Sequence, residues 1–399
     1  MLQKNMLKFA LLSASFLLVT GYAITYCIPD YQKLFVGYSD AAIEFLVTIS
    51  ALAVMVVMFI SDFVSRLIGK KNTVLLGLVV VTASSFMSAM VTSYEMMFVS
   101  RLIFGVGLGL INALAISMID DFFTGNECAT MMGLRNAVEG FGQTALVAIA
   151  GFVYESYGYA YVPYVYLSAV PIFLIFMLFV PSDDKTVTAK SETKVESAVT
   201  GASGGKTFIP LNALPHCLIL LFTVLVSVGF FIKIHPLLQL NNLDESHASS
   251  LMTAISFCTM AGGCIFGIIY KKIKYFSLLA ALLLTGLSCL ILVMASNVTV
   301  FYLACCINGL AYPLIISYIF NMIGSLSKRT SNILVTSWML IGCNVGAFAA
   351  PAGFVLISTI SGNQSTEFAF LCFGVIFLVI LALSIVFKKH FIIEQEMSV

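Results

Sequence analysis

The sequence predicts an all-α membrane protein with twelve transmembrane helices arranged as two six-helix bundles. Three observations carry that expectation. The first is composition: of 399 residues, 60% are hydrophobic and 10% charged, and the mean hydropathy is +1.04, values foreign to a water-soluble domain. The second is length, because apolar runs of about twenty residues recur and each can cross a hydrocarbon layer roughly 30 Å thick. The third is a single long polar interruption. Residues 181–210 gather Asp183, Asp184, Lys185, Lys190, Glu192, Lys194, Glu196 and Lys206 among Ser, Thr and Gly, a composition that cannot bury enough surface to fold alone. It reads as a solvated tether between a first bundle at 1–180 and a second at 211–399.

In chain order, the apolar runs place spans at 8–28, 42–60, 73–93, 97–119, 131–153 and 161–180, then at 213–234, 248–269, 276–295, 299–322, 332–358 and 367–387. The first run follows Lys4 and Lys8 and has the outline of a signal peptide, but eleven more spans follow it, so it reads as an uncleaved helix. Lys and Arg set the orientation. With the N-terminus inside, sixteen bases fall on the cytoplasmic side, and Lys33 alone lies outside, beside Asp30, Glu95, Glu155, Asp244 and Glu367. Both termini and the tether are therefore expected on the cytoplasmic side of the cell membrane.

Several classes are set aside on composition and spacing. A net charge of +1 gives no basic face for nucleic acid. Most cysteines sit inside apolar runs without ligand spacing and read as small buried residues, so neither a metal nor a cofactor is expected. Gly201–Thr207 ends like a phosphate loop, but Thr200 occupies the place of the required first glycine and no strand frames it. The glycosylation patterns at Asn297 and Asn363 lie in short outer loops and read as chance. An enzyme reading lacks a metal cluster, a nucleophile–base pair and a polar domain to hold one.

The halves echo each other. Arg66-Leu-Ile-Gly69-Lys70-Lys71 follows span two, and Tyr270-Lys271-Lys272-Ile-Lys274 follows span eight. Basic turns at the same place in each set of six are what a parallel repeat in a transporter leaves in sequence.

The stretch 61–77, SDFVSRLIGKKNTVLLG, resembles the loop between helices two and three of the major facilitator superfamily, whose pattern is Gly-x-Leu-Ala-Asp-Arg-x-Gly-Arg-Arg. Gly69, Lys70 and Lys71 match its last three positions, while Arg66 stands at the Asp position and Asp62 at the first Gly. Arg101-Leu-Ile-Phe-Gly105-Val-Gly107 is similar to the family's helix-four motif. Helix five departs from the antiporter pattern, with Gly140-Phe-Gly142-Gln143 and Ala150-Gly151 where a Gly-Pro and a Gly-Gly pair are expected. The resemblance covers the whole chain in architecture and two short stretches in motif. It implies two bundles rocking about a central site, and a loop at 66–71 that stabilises one conformational state, with Asp62 and Arg66 as a displaced acid–base pair.

Ionisable residues away from the span ends are Glu44, Arg101, Arg135, Glu139 and Lys233. Each costs about 2.5–3.5 kcal/mol at a helix centre unless it faces a cavity or a partner. Arg101, Gly105 and Asn112 share a helical face, which lines a cavity or caps a carbonyl. Arg135 and Glu139, four apart, pair on one face, for proton coupling or for structure. Glu44, near an outer end, is a second proton-coupling candidate whose bland reading is a wet, idle carboxylate. Lys233 either contacts substrate or snorkels to water. Tyr22, Tyr26, Asn308, Tyr312 and Trp338 complete the candidate substrate contacts, against the bland reading of packing and anchoring.

The expected function is a secondary active transporter moving a small organic or amphipathic solute by alternating access, with proton-coupled efflux, in which a proton on Glu139 releases Arg101 to the substrate. The alternative is uptake of a small organic anion by symport, and the reading from another class is a non-transporting membrane sensor. The expected partners are a small-molecule substrate, protons and the lipid bilayer, with the chain as a monomer.

Overall fold

A computed structural model describes residues 2–123, 125–181, 213–326 and 332–391. Apart from Pro181, the expected tether lies outside the described residues. Twelve helices among those described are long and apolar enough to cross a membrane. They are α1 (Lys4–Leu34), α2 (Asp40–Ile68), α3 (Lys70–Ala89), α4 (Tyr94–Phe122), α5 (Gly125–Tyr157) and α6 (Tyr159–Phe179). Then come α7 (Leu214–Leu240), α8 (His247–Ile273), α9 (Phe276–Val293), α10 (Val298–Asn321), α11 (Asn332–Ser361) and α12 (Thr366–Val386). Each overlaps the span expected from the apolar runs.

Local chemistry explains where they start and bend. Ser93 caps α4 by accepting from the Met96 amide, and Asn297 caps α10 by accepting from the Val300 amide; short oxygen-bearing side chains are suited to that role. Gly69, which starts α3, sits at φ +87°, a conformation that strains any residue with a Cβ. Two helices are not α throughout. Within α1 the segment Thr20–Cys27 is a 3₁₀ helix, and α6 begins as one over Tyr159–Ser168 around Pro163. Val19, Thr20, Ile24 and Thr25 crowd the α1 bend with β-branched side chains, and Gly21 adds backbone freedom.

By contacts the chain divides into two compact units. One is drawn from Met1–Ile24, Ile49–Leu146 and Tyr157–Ile209, as far as these are described; the other from Thr25–Thr48, Val147–Ser156 and Pro210–Val399.

In the first unit α4 is the central element, because glycines on two of its faces let neighbours approach to backbone contact. A Cβ on Gly105 would collide with the Ser50 carbonyl of α2, and one on Gly109 would meet Val57 at 2.8 Å. On the other face Gly107 and Gly77 of α3 oppose each other, each a hypothetical Cβ within 2.8 Å of the other's carbonyl oxygen. The Gly105–Gly109 step is thus a packing seam. In the second unit α10 repeats the device: a Cβ on Gly309 would stand 2.6 Å from the Ile255 carbonyl oxygen of α8, and one on Gly262 of α8 would stand 2.7 Å from the Leu310 carbonyl oxygen.

Candidate functional site

Arg101 projects from α4 into the bend of α1. Its side chain is 0% exposed, and Nη2 donates to the Gly21 carbonyl at 3.0 Å. The guanidinium lies 4.4 Å from the Phe104 ring centroid and 5.6 Å from that of Tyr166. Tyr166 Oη donates to the Thr20 and Gly21 carbonyls at 3.2 and 3.3 Å. Poor hydrogen-bond geometry in the 3₁₀ segment leaves backbone oxygens in need of donors, and Arg101 and Tyr166 supply them. The expected face from Arg101 through Gly105 to Asn112 does not line one cavity: Arg101 reaches α1, Gly105 abuts α2, and Asn112 reaches α5.

Arg135, rather than Arg101, is the base beside Glu139. Arg135 Nη1 lies 3.0 Å from Glu139 Oε2, and Nη2 donates to Asn112 Oδ1 at 3.3 Å. The pair follows from its spacing of four on α5, and Asn112 completes it from α4. Arg135 is 8% exposed as a residue, whereas the Glu139 side chain keeps 24% of its surface open. A cation fixed by an amide on one side and a half-open carboxylate on the other can exchange the carboxylate for another acceptor.

In the second unit Glu44 of α2 and Lys233 of α7 form an ion pair of 2.5 Å. Glu44 is 1% exposed, so the wet carboxylate read at that helix end is corrected. Packing against α7 and α11 removes it from water, and Phe45 and Phe348 meet 5.6 Å apart beside it. Lys233 does not snorkel; its ammonium lies 5.3 Å from the Phe354 ring centroid. Two residues on, His235 is buried, and neither ring nitrogen has a hydrogen-bond partner among the described residues.

The remaining candidates sit as follows. Tyr22 and Tyr26 do not share a face, because four residues of 3₁₀ helix turn about 120° away from register. Tyr26 stacks on Tyr154 and donates to the Ser249 carbonyl at 3.3 Å. Asn308 is buried, accepting from Ser227 at 3.3 Å and donating to Ser288 at 3.5 Å, which ties α7, α9 and α10. Tyr312 and Trp338 are half-buried, and the Trp338 carbonyl accepts from Cys217 Sγ at 3.2 Å.

At the turn after α2, Lys70 binds Asp121 Oδ2 at 2.5 Å and Ser117 Oγ at 2.8 Å, both on α4. Lys71 donates to the Met177 carbonyl of α6 at 2.8 Å. Arg66 is exposed, and the Asp62 side chain is not among those described. Asp121 was not singled out from the sequence; the Asp120-Asp121 doublet ending an apolar span was the available signal. At the same end Glu127 binds Lys4 at 2.8 Å and Lys8 at 2.7 Å. Hydrogen bonds from Lys4 and then Lys8 hold its carboxyl below the ordinary range.

A sequence model described as Major Facilitator Superfamily matches residues 10–241. Quinolone resistance protein NorA of Staphylococcus aureus (strain MSSA476) is 25% identical over 257 residues, 63% of this chain and 62% of that protein. The chain thus spans less than two thirds of that relative's length. Riboflavin transporter RibZ of Clostridioides difficile (strain 630) is 26% identical over 133 residues, 33% of this chain and 28% of that protein. The solved structure of the xylose transporter XylE from E. coli, in a partially occluded inward open conformation, aligns with a TM-score of 0.70 at 13% identity, covering 96% of this chain and 99% of that one. That last likeness is one of fold.

Proposed function

Because the chain belongs to the Major Facilitator Superfamily, we propose that it is a transporter that exports a small organic or amphipathic solute in exchange for protons, with both termini in the cytoplasm. The observation that carries this reading is the Arg135–Glu139–Asn112 cluster between α4 and α5. Arg135 is almost wholly buried, and a buried cation needs an acceptor. While Glu139 is ionised it is that acceptor. When Glu139 takes a proton, its charge is lost, and Arg135 is offered to a carbonyl or carboxylate of the solute. The solute and the ionised Glu139 thus compete for Arg135, which couples solute binding to the proton; the likeness to a quinolone resistance protein favours export as the direction.

The names of two relatives favour a solute class. One concerns quinolones and the other riboflavin, both planar fused heterocycles bearing carbonyl groups. Such molecules present to Arg135 the acceptor that Glu139 relinquishes.

The test is flux in everted membrane vesicles, with a fluorescent quinolone and riboflavin as probes. An acid interior should drive accumulation, a protonophore should abolish it, and Glu139→Gln should leave flux that no longer responds to the gradient. Accumulation driven instead by an alkaline interior would establish symport and overturn the reading.

A further inference from the structure

We propose that Glu44 and Lys233 form a proton-labile latch, which holds the first turns of α2 on α7 and α11 and opens when the Glu44 carboxylate is protonated. The inference rests on the proton-coupled reading above and adds to it a second place where a proton acts.

The residues of α2 up to Thr48 count with the second unit, and those from Ile49 onward with the first. Most side chains of this stretch are buried, and contacts with α7 and α11 are among those that fasten it. Phe45 meets the Phe348 ring, Thr48 Oγ1 donates to the Phe348 carbonyl at 3.4 Å, and Glu44 pairs with Lys233. The ion pair is the strong one, and it is buried. It is also incompletely satisfied: Glu44 Oε2 has no hydrogen-bond donor among the described residues. A lysine makes a single point contact here where an arginine fork would engage both oxygens. The second oxygen therefore bears the cost of desolvation without a compensating bond.

That arrangement favours a proton on Oε2. The neutral carboxyl tolerates burial, whereas Lys233 then stands in apolar surroundings without a counter-charge. A buried ammonium in that position is relieved by reaching water, which requires α2 to leave α7. The sign is fixed by linkage: the open form binds the proton better, so acidification shifts the population toward it.

Other charged groups face the pair. Asp40 lies one turn before Glu44 on α2 and is itself held by Gln32 at 2.9 Å. On α7, His235 feels Asp30 of α1 and Glu245 of the connection to α8. From α11 come Phe348 and Phe354, neither of which titrates. His235 is the competing sensor.

The experiment is amide hydrogen exchange on the full chain in lipid nanodiscs, read by mass spectrometry over peptides spanning 40–48 and 228–240. Labelling at pH 7.5 and pH 5.5 is corrected for the intrinsic chemical rate. Loss of the pair should raise exchange in both peptides by about tenfold on acidification, the factor that roughly 1.4 kcal/mol produces. Glu44→Gln should show raised exchange at both pH values, and His235→Gln should keep the wild-type response. A wild-type chain with no response, a response that survives Glu44→Gln, or one that disappears in His235→Gln overturns the latch. Should Glu44→Gln fail to fold, the wild-type and His235→Gln titrations still decide. Glu139→Gln separates the two proposals: it should lose gradient-driven flux yet keep the exchange response.

Discussion

Arg101 and Lys233 are both cations sunk in apolar helices, yet they are held in opposite ways. Arg101 is clasped by groups whose charge does not change near neutral pH: the Gly21 carbonyl and the rings of Phe104 and Tyr166. A planar, permanently charged guanidinium suits that setting, since it can stack and donate together. Lys233 is held by a carboxylate, with one ring beneath it. A proton can cancel that attraction. These contacts fasten α4 to the bend of α1 without a carboxylate among them, whereas the hold on the second cation is conditional. Burial alone does not make a charge a coupling element; the chemistry of its partner decides.

Substituting Arg101 is the severest way to break the comparison. Arg101→Ala empties a fully buried volume and strips donors from the α1 bend, a loss of about 3–5 kcal/mol by analogy with large core truncations. Thermal melting in detergent should fall further than for a change at Glu44, Lys233 or Glu127, and transport should cease. Arg101→Lys should recover less than half of the lost melting temperature. A wild-type melting curve for Arg101→Ala would remove the fastening role.

The Glu44–Lys233 pair should behave differently. Lys233→Met leaves Glu44 without its donor, at a cost of about 1–3 kcal/mol, and Glu44→Leu should cost a similar amount. Combining the two should restore most of the loss, because two apolar residues of similar shape need no partner. A double-mutant cycle measures this, and additive losses would show that the two side chains do not act as a pair.

The smallest effect belongs to the exposed end, where Lys4 and Lys8 clasp Glu127. Its carboxyl is held below the ordinary range, so the clasp stabilises the folded chain above the unfolded value and loses that contribution as pH falls through the folded one. Solvent screens the contact. At acid pH, from the ordinary carboxylate range downward, Glu127→Gln should therefore flatten only a shallow slope in melting temperature, and high salt should do the same. A steep slope left unchanged by the substitution would assign acid sensitivity to other carboxylates.

The fold was legible in the sequence because a span of twenty apolar residues needs no partner to declare itself. The buried ions were half legible. Their cost in hydrocarbon marked Arg101, Arg135, Glu139 and Lys233, and the i, i+4 spacing correctly joined Arg135 to Glu139. What spacing cannot carry is a partner far along the chain. Gly21 lies eighty positions from Arg101, and Glu44 lies 189 from Lys233. The expected partner of Arg101 is Glu139, because both are ionisable, whereas Glu139 pairs with Arg135 and the contacts described for Arg101 include a backbone oxygen and two rings. Glu44 misled for the complementary reason: it stands one turn from Asp40 at a helix end, and only tertiary packing dries it. The 3₁₀ geometry of Thr20–Cys27 was hidden as well, so tyrosines counted on an α-helical wheel landed on the wrong faces.

The glycine seams constrain how this chain can diversify. Gly105 follows its helix cap, Ser93, by twelve positions, and Gly309 follows Asn297 by the same interval; each presses on the backbone of a neighbouring helix. A saturation library selected for surviving flux should show a matching pair of blind spots at these two sites, where even alanine is rejected. At Cys305, which occupies in α10 the place that Arg101 holds in α4, small replacements should survive. The ancestral repeat would then be visible as a shared pattern of forbidden letters, long after the permitted ones had drifted apart.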